Sequence, residues 1–226
     1  MKKITIAIDG FSSTGKSTLA KDLAKHLGYV YVDTGAMYRA ITLFAMQKGY
    51  IGVYFFDTQS LINSLPHIKL DFKFNPDLGF AEMYLNDINV ETEIRTIAVS
   101  NFVSKVAELS EVRSKLVEQQ QEMGKNKGIV MDGRDIGTVV FPDAELKIFM
   151  TASATTRAQR RFDELIQKGD LVTFKEVLKN VEERDYIDTH RDDSPLVKAK
   201  DAIEIDNSNI SRQEQFEKVL KLIKIN

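Results

Sequence analysis

The chain has 226 residues and a formal net charge of −2, with 43% hydrophobic and 28% charged residues. That balance fits a globular protein, excludes a disordered or fibrous chain, and removes the general electrostatic case for binding nucleic acid. The absence of cysteine excludes disulfides, thiol nucleophiles and Cys-ligated metals, and fits a reducing compartment.

Ile4 to Ile8 is an apolar, β-branched run of the kind that forms a parallel strand covered on both faces. With Lys2 and Lys3 before it, the run begins like a secretory signal. It is too short, however, and meets Asp9-Gly10 with no cleavage site. No apolar run approaches the ~20 residues of a membrane span. The expectation is a buried first strand in a cytoplasmic protein. Gly10 to Gly15 reads as a loop, and Lys16 to Leu27 as a helix with Leu19, Leu23 and Leu27 at four-residue steps and Gly28 as its stop. Tyr29 to Val32 is a second strand, which completes a βαβ unit.

Helices are predicted over Tyr38–Gln47 and over Phe55–Leu65, the second ended by Pro66. Ile68 to Phe74 then alternates, with Ile68, Leu70, Phe72 and Phe74 on one face. Ala81–Leu85 and Ile88–Val90 flank the hairpin signal Asn86-Asp87. The stretch 66–92 is therefore expected to be a small antiparallel sheet inserted in an α/β chain. Helices follow over Glu93–Ala107 and Ser110–Met123. Gly128–Asp132 and Leu146–Met150 read as buried strands, Thr155–Lys168 and Phe174–Asp188 as helices, Ala202–Asp206 as a last strand and Gln213–Ile223 as a closing helix. Short strands separated by helices predict a three-layer α/β fold with a central parallel sheet.

The sharpest chemical signal is Gly10-Phe11-Ser12-Ser13-Thr14-Gly15-Lys16-Ser17, which fits G-x-x-x-x-G-K-[ST] between a strand and a helix. Such a loop turns successive N–H groups onto one anion, and the helix start adds about half a positive charge. Lys16 suits β- and γ-phosphates, and the Ser17 hydroxyl suits Mg²⁺. Switch GTPases share this loop, but the chain has no D-x-x-G, and Asn126-Lys127-Gly128-Ile129 lacks the aspartate of a guanine motif. A phosphotransfer enzyme is favoured.

Of ten arginines, five lie between 157 and 191. Arg157, Arg160 and Arg161 share a helix face, as do Arg184, Asp188 and Arg191 if the helix runs through. Fixed cations suit a phosphoryl group in transit. Ordinary ion pairs to Asp163, Glu164, Asp185 and Asp192 are the alternative. Two further segments follow strands and so sit where open α/β sheets bind ligands. They are Asp132-Gly133-Arg134-Asp135-Ile136-Gly137-Thr138-Val139-Val140-Phe141-Pro142 and Asp33-Thr34-Gly35-Ala36-Met37-Tyr38-Arg39. Asp33 is positioned as an N-cap.

These motifs, with Glu183-Arg184-Asp185 and Asp188 and Arg191 after them, together resemble the bacterial cytidylate kinases, a family of nucleoside-monophosphate kinases. The resemblance runs in order over nearly the whole chain. One departure is Phe11-Ser12-Ser13-Thr14, where many members have proline and smaller residues; altered loop packing, with phosphate binding retained, is expected. The resemblance implies a P-loop NTPase fold with a core of 1–35, 125–153 and 195–226. It also implies a monophosphate-binding region over 36–124 that contains the inserted sheet, and a short helical lid over 154–194. It places ATP on Gly10 to Ser17 and Thr18, with Arg157 and Arg161 nearby. It places CMP or dCMP on Thr34, Tyr38, Arg39, Ser104, Arg113, Arg134, Asp135, Arg184, Asp188 and Arg191. Within that set Ser104, Arg113 and Asp135 would read the cytosine edge, Arg39 the CMP phosphate and Asp188 the sugar.

The implied reaction moves the γ-phosphoryl group of ATP to CMP or dCMP, with Lys16, Arg134, Arg184 and Arg191 as catalytic cations and Mg²⁺ on Ser17. No general base is needed, because a phosphate acceptor is mostly ionised at neutral pH. A monomer acting on free nucleotides, without nucleic acid or membrane, is expected. The alternatives are a small P-loop kinase for UMP or a non-nucleotide acceptor, and a nucleotide-dependent switch without phosphotransfer.

Overall fold

The computed structural model describes residues 2–225, with side chains to 223; Met1 and Asn226, the ends of the expected domain, lie outside the described residues. The first elements are β1 (Thr5–Gly10), α1 (Lys16–Leu27), β2 (Val30–Asp33) and α2 (Thr34–Gln47). A two-residue hairpin follows, β3 (Ile51–Gly52) and β4 (Phe55–Phe56), then α3 (Thr58–Ser64). Next come β5 (Leu70–Asn75), β6 (Phe80–Leu85), β7 (Ile88–Asn89), α4 (Ile97–Ser100), α5 (Val103–Ala107) and α6 (Ser110–Gly124). The chain continues with β8 (Ile129–Gly133), β9 (Leu146–Thr151), α7 (Ala154–Gln167), α8 (Phe174–His190), β10 (Ile203–Asp206) and α9 (Arg212–Ile225). Among the described residues no helix is long and apolar enough to cross a membrane.

The chain divides into two compact units, Met1–Val32 with Gly124–Asn226, and Asp33–Met123. The first is built on the sheet β10-β9-β1-β8-β2, in which β1 pairs parallel to β8 and β9, and β9 parallel to β10. Every residue of β1 is buried, and Ile6 and Ile8 are 0% exposed. Burying each of those side chains contributes about 1.5–3 kcal/mol, so the central strand is a strongly held platform. In register, Asp9 lies beside Gly133 on one side and Phe149 on the other. The carboxyl ends of the central strands, and the polar segments that follow them, thus share one edge. Leu19 and Leu23 of α1 pack with Val219 and Ile223 of α9 in the core of this unit.

The second unit forms around α2, whose Ala36, Met37, Ala40, Ile41 and Ala45 are 0% exposed. Residues of α3, α5, α6 and the sheet β5-β6-β7 complete its core. The predicted alternation in β5 holds and tapers: Leu70 is buried, Phe72 half-buried and Phe74 68% exposed. Asn86 and Asp87 turn the next hairpin at φ 48 and 67, the left-handed pair a two-residue turn requires.

Three expectations are corrected. The helix expected over Phe55–Leu65 begins only at Thr58, because Phe55 and Phe56 pair back onto Ile51 and Gly52, and Asp57 caps α3 by accepting from Ser60 N at 3.0 Å. Gly52 lets the Phe55 ring lie across it, since a Cβ would lie 2.6 Å from that exposed ring and displace it. Pro66 sits inside a 3₁₀ turn, Leu65–His67, that extends the helical path. The helix expected over Glu93–Ala107 is three short pieces, a 3₁₀ turn at Glu93–Arg95 followed by α4 and α5. Thr96 is extended, and its hydroxyl accepts from Val99 N, so a cap replaces continuation. Finally, α8 ends at His190, and Arg191 is its extended C-cap rather than part of a continuous face.

Gly10 sits at φ 143, and a Cβ there would lie 2.0 Å from Met150 O of β9. Gly28, the left-handed C-cap of α1, has nothing within 4 Å of such an atom. Gly28→Ala should cost about 1–2 kcal/mol, whereas Gly10→Ala should break the β1–β9 edge. Thermal denaturation of the two variants checks this, and equal shifts in Tm would contradict it.

Candidate active site

The phosphate loop leaves β1 at Gly10 and enters α1 at Lys16, with Ser13 at φ 58 and Gly15 at φ 86 curling the backbone. The Lys16 ammonium is buried inside that curl and donates to Phe11 O at 2.6 Å and to Thr14 Oγ1 at 3.4 Å. Two side chains from elsewhere in this unit brace the loop. Asn207, immediately after β10, donates from Nδ2 to Thr14 O at 2.6 Å, and its own Oδ1 and carbonyl accept from Arg160 at 3.0 and 2.8 Å. The Arg157 guanidinium donates to Ser12 O at 3.2 Å and to Ala152 O at 2.9 Å. It also forms a two-pronged pair with Asp185 of α8 at 3.0 and 2.6 Å. Phe11, the unusual residue of the loop, lies under that guanidinium at 5.2 Å and edge-on to Phe149. Arg157 and Arg160 therefore work as braces, and Arg161 pairs with Glu164 at 2.9 Å.

Ser17 Oγ donates to Asp132 Oδ2 at 2.9 Å, and Tyr31 Oη donates to Asp132 Oδ1 at 2.9 Å. Asp132 is thus fixed at the end of β8 beside the hydroxyl expected to hold a metal. Asp132 is not among the site residues expected from the sequence. Its signal was position: a carboxylate at the carboxyl end of a strand neighbouring β1.

Beyond β8, four predicted residues converge. Arg134 Nε donates to Asp188 Oδ2 at 2.8 Å, and Arg191 Nη1 is 4.0 Å from Asp188 Oδ1. Arg191 is held by Ser194 O, which accepts from Nε and Nη2 at 2.9 and 2.6 Å. Burial opposes ionisation of Asp188, but the charges of Arg134, Arg184 and Arg191 hold it below the usual carboxylate range. Two of these cations, Arg134 and Arg184, also reach Lys16. Burial, followed by the charges of Arg134 and Arg184, lowers its pKa to about 7, with Asp132 and Asp9 opposing. Asp135, buried, opens a π turn at Ile136–Val140.

In the second unit, Asp33 caps α2 by accepting from Ala36 N at 2.9 Å, and its other oxygen accepts from Arg39 at 3.0 Å and Arg95 at 2.7 Å. Gly35 leaves room for this, since a Cβ would be 2.9 Å from Arg39 Nη1. Burial disfavours the Asp33 charge, yet the two guanidiniums hold its carboxyl well below the ordinary range. Arg95 also donates to Glu91 at 2.6 and 3.0 Å, and Glu91 Oε2 accepts from Met83 N of β6 at 3.0 Å. The sequence reading assigned Arg95 no role; nothing in its spacing marked it. Arg113 is buried with its guanidinium 5.7 Å from the Tyr38 ring centre and donates to Ala107 O at 3.3 Å. Thr34 and Ser104 are buried in this unit.

The sequence model of the cytidylate kinase family matches residues 6–225. The chain belongs to the cytidylate kinase family. A cytidylate kinase of Flavobacterium johnsoniae is 78% identical over 223 residues, covering 99% of this chain and 97% of that protein. One of Bacteroides thetaiotaomicron is 58% identical over 228 residues, covering 98% and 100%. A gluconokinase from Sinorhizobium meliloti has the same fold at a TM-score of 0.51, with 12% identity over 97% of this chain and 90% of that one. This family member is a nucleoside-monophosphate kinase, an enzyme that uses ATP with a divalent metal ion.

A lysine whose pKa lies at about 7 is mostly neutral at about pH 8. A polyphosphate beside it favours the charged form. ATP binding at about pH 8 should then take up as much as about one proton, and affinity should fall as pH rises from 7 to 9. Titration calorimetry in buffers of different ionisation enthalpy measures the uptake. Equal uptake by Lys16→Arg would contradict the assignment to Lys16.

Proposed function

We propose that Lys16, Arg134, Arg184 and Arg191 carry the transfer of the γ-phosphoryl group from ATP to CMP or dCMP, which yields ADP and CDP or dCDP. The observation that carries this reading is the arrangement of Arg134, Arg184 and Arg191 around one carboxylate, Asp188, with Arg134 and Arg184 also acting on Lys16. In-line phosphoryl transfer spreads charge over equatorial oxygens and needs little from a protein beyond position and positive charge. The acceptor oxygen is already ionised, so the protein supplies no base. The histidines agree with that chemistry: His26 lies edge-on to Phe216, and His190 stacks on Tyr186 at 4.2 Å.

The loop from Gly10 to Thr18 holds the ATP phosphates. Arg157 and Arg161 act on the ATP side, Arg157 by fixing the loop carbonyl at Ser12. In the second unit, Arg39 binds the CMP phosphate, Thr34 and Tyr38 line the acceptor, and Ser104 and Arg113 read cytosine. In the first unit, Asp135 accepts from the cytosine amino group, Arg134, Arg184 and Arg191 bind phosphate, and Asp188 binds the sugar. A carboxylate, a hydroxyl and a guanidinium match the donor and acceptor pattern of cytosine.

The divalent ion in this reading is Mg²⁺. Ser17 Oγ and Asp132 Oδ2 lie within hydrogen-bond distance of each other, an all-oxygen pair that suits a small hard cation. Among the described residues no cluster of three or more His, Cys, Asp or Glu could hold a metal by itself. This fits an ion shared with substrate phosphates. When bound, the ion neutralises phosphate charge; Ser17 and Asp132 hold it, with Asp132 oriented by Tyr31. Residues 154–194 form the lid, and the enzyme works as a cytoplasmic monomer on free nucleotides.

An acceptor panel of CMP, dCMP, UMP and a non-nucleotide alcohol, read by coupled ADP release, tests the reading. CMP and dCMP should be strongly preferred, and Lys16→Ala should lower kcat by about 100-fold or more. ADP release that ignores CMP, or a near-normal rate without Lys16, would overturn it.

A further inference from the structure

Asp9 is an acid that the reaction does not use. It is 5% exposed, lies one residue before the phosphate loop, and sits beside Gly133 in the β1–β8 register. Its two carboxylate oxygens are both committed. Oδ1 accepts from Ile136 N at 2.7 Å and Oδ2 from Gly137 N at 2.7 Å. These are the first two amides of the π turn. That turn closes through Val140 N to Asp135 O at 3.2 Å and Phe141 N to Ile136 O at 2.6 Å. The opening amides of any helical turn have no partner within it and need an acceptor from outside. Residues before such a turn usually supply one, but here Asp135 has no capping bond from its side chain. The acceptor comes instead from a neighbouring strand, 127 and 128 residues earlier in sequence.

We infer that Asp9 is a positioning residue that locks the Arg134–Asp135 turn to the strand carrying the phosphate loop, and so sets where the acceptor-reading carboxylate of Asp135 stands. The two short bonds fix both position and rotation of the peptide planes that follow Asp135, which one bond could not do. Gly137 is shaped to the same contact. A Cβ there would lie 3.3 Å from Asp9 Oδ2 and 3.1 Å from Lys147 Cδ, so an added methyl presses on the carboxylate and requires it or the Lys147 side chain to give by a few tenths of an ångström. The neighbouring strand could carry an apolar residue at position 9, as it does at Ile6 and Ile8. A buried carboxylate with two amides earns its place only by what those amides hold. The inference rests on the proposed role of Asp135 in reading cytosine.

Steady-state kinetics of four proteins test it: the parent, Asp9→Asn, Gly137→Ala and Asp135→Ala, each first checked for a cooperative melting transition. Asn offers one acceptor oxygen and a donor where two acceptors are needed. Asp9→Asn and Gly137→Ala should both raise KM for CMP about tenfold or more relative to any change in KM for ATP. Gly137→Ala, which alters no charge near Lys16, should leave KM for ATP within about twofold. A lower melting temperature with both KM values moving together would reduce Asp9 to a stability residue and overturn the inference. So would a CMP-selective loss in Asp135→Ala that neither of the other variants shares. Failure of Asp135→Ala itself to weaken CMP selectively would instead overturn the assignment of Asp135, on which the inference depends.

Discussion

Like charges held close together govern the phosphate-loop unit. Lys16 is buried, and Arg134 and Arg184 press on it hard enough to add to the loss of its proton. Three cations in one small volume would repel each other apart without anions among them, and the chain provides two in fixed places, Asp132 and Asp188, with a third acid, Asp9, whose pKa burial raises to about 7. Asp132 faces Ser17 and Lys16 from the end of β8, Asp188 holds Arg134 from α8, and Asp9 lies beneath, bound to the π turn. Each anion is itself tied down by a second partner, so the cations stay in place when their charge is not neutralised by phosphate. A buried cation cluster of this kind costs stability, which a polyphosphate bound there as proposed would offset.

The second unit uses the same device in miniature. Asp33 joins two guanidiniums and the first turn of α2, and through Arg95 and Glu91 the chain of bonds ends on a backbone amide of β6. Arg39, proposed for the CMP phosphate, is therefore not a loose surface cation. Its rotamer is set by a carboxylate whose ionisation two arginines enforce. The hydrophobic interior beneath, centred on α2, leaves that network little freedom to shift.

Much of this was legible from residue order. Strands with an unbroken apolar run, such as β1 and β8, announced themselves, and the alternation of Ile68 to Phe74 marked the inserted sheet through its period of two. The phosphate loop was readable because its glycines, lysine and serine each answer a separate demand. The misses share one cause, namely competition settled by side-chain caps and short strand pairings that a periodicity does not register. Thr96 and Asp57 stop or start helices by capping, and Phe55 and Phe56 choose a two-residue hairpin over the helix they precede. In the candidate site, several residues that act on other residues were not expected from the sequence. Asn207, Asp9 and Arg95 reach their targets across long stretches of sequence, and no local pattern encodes a partner more than sixty positions away.

The bond from Asn207 to the carbonyl of Thr14 spans 193 positions. On the ribosome the phosphate loop emerges well before its brace, by the length of chain that separates them. The loop sequence therefore waits through the synthesis of the residues between them without its finished shape, and a chain interrupted short of β10 lacks that anchor however well its earlier part has folded. The finished shape of the proposed phosphate loop is thereby coupled to the synthesis of β10 and the residue that follows it.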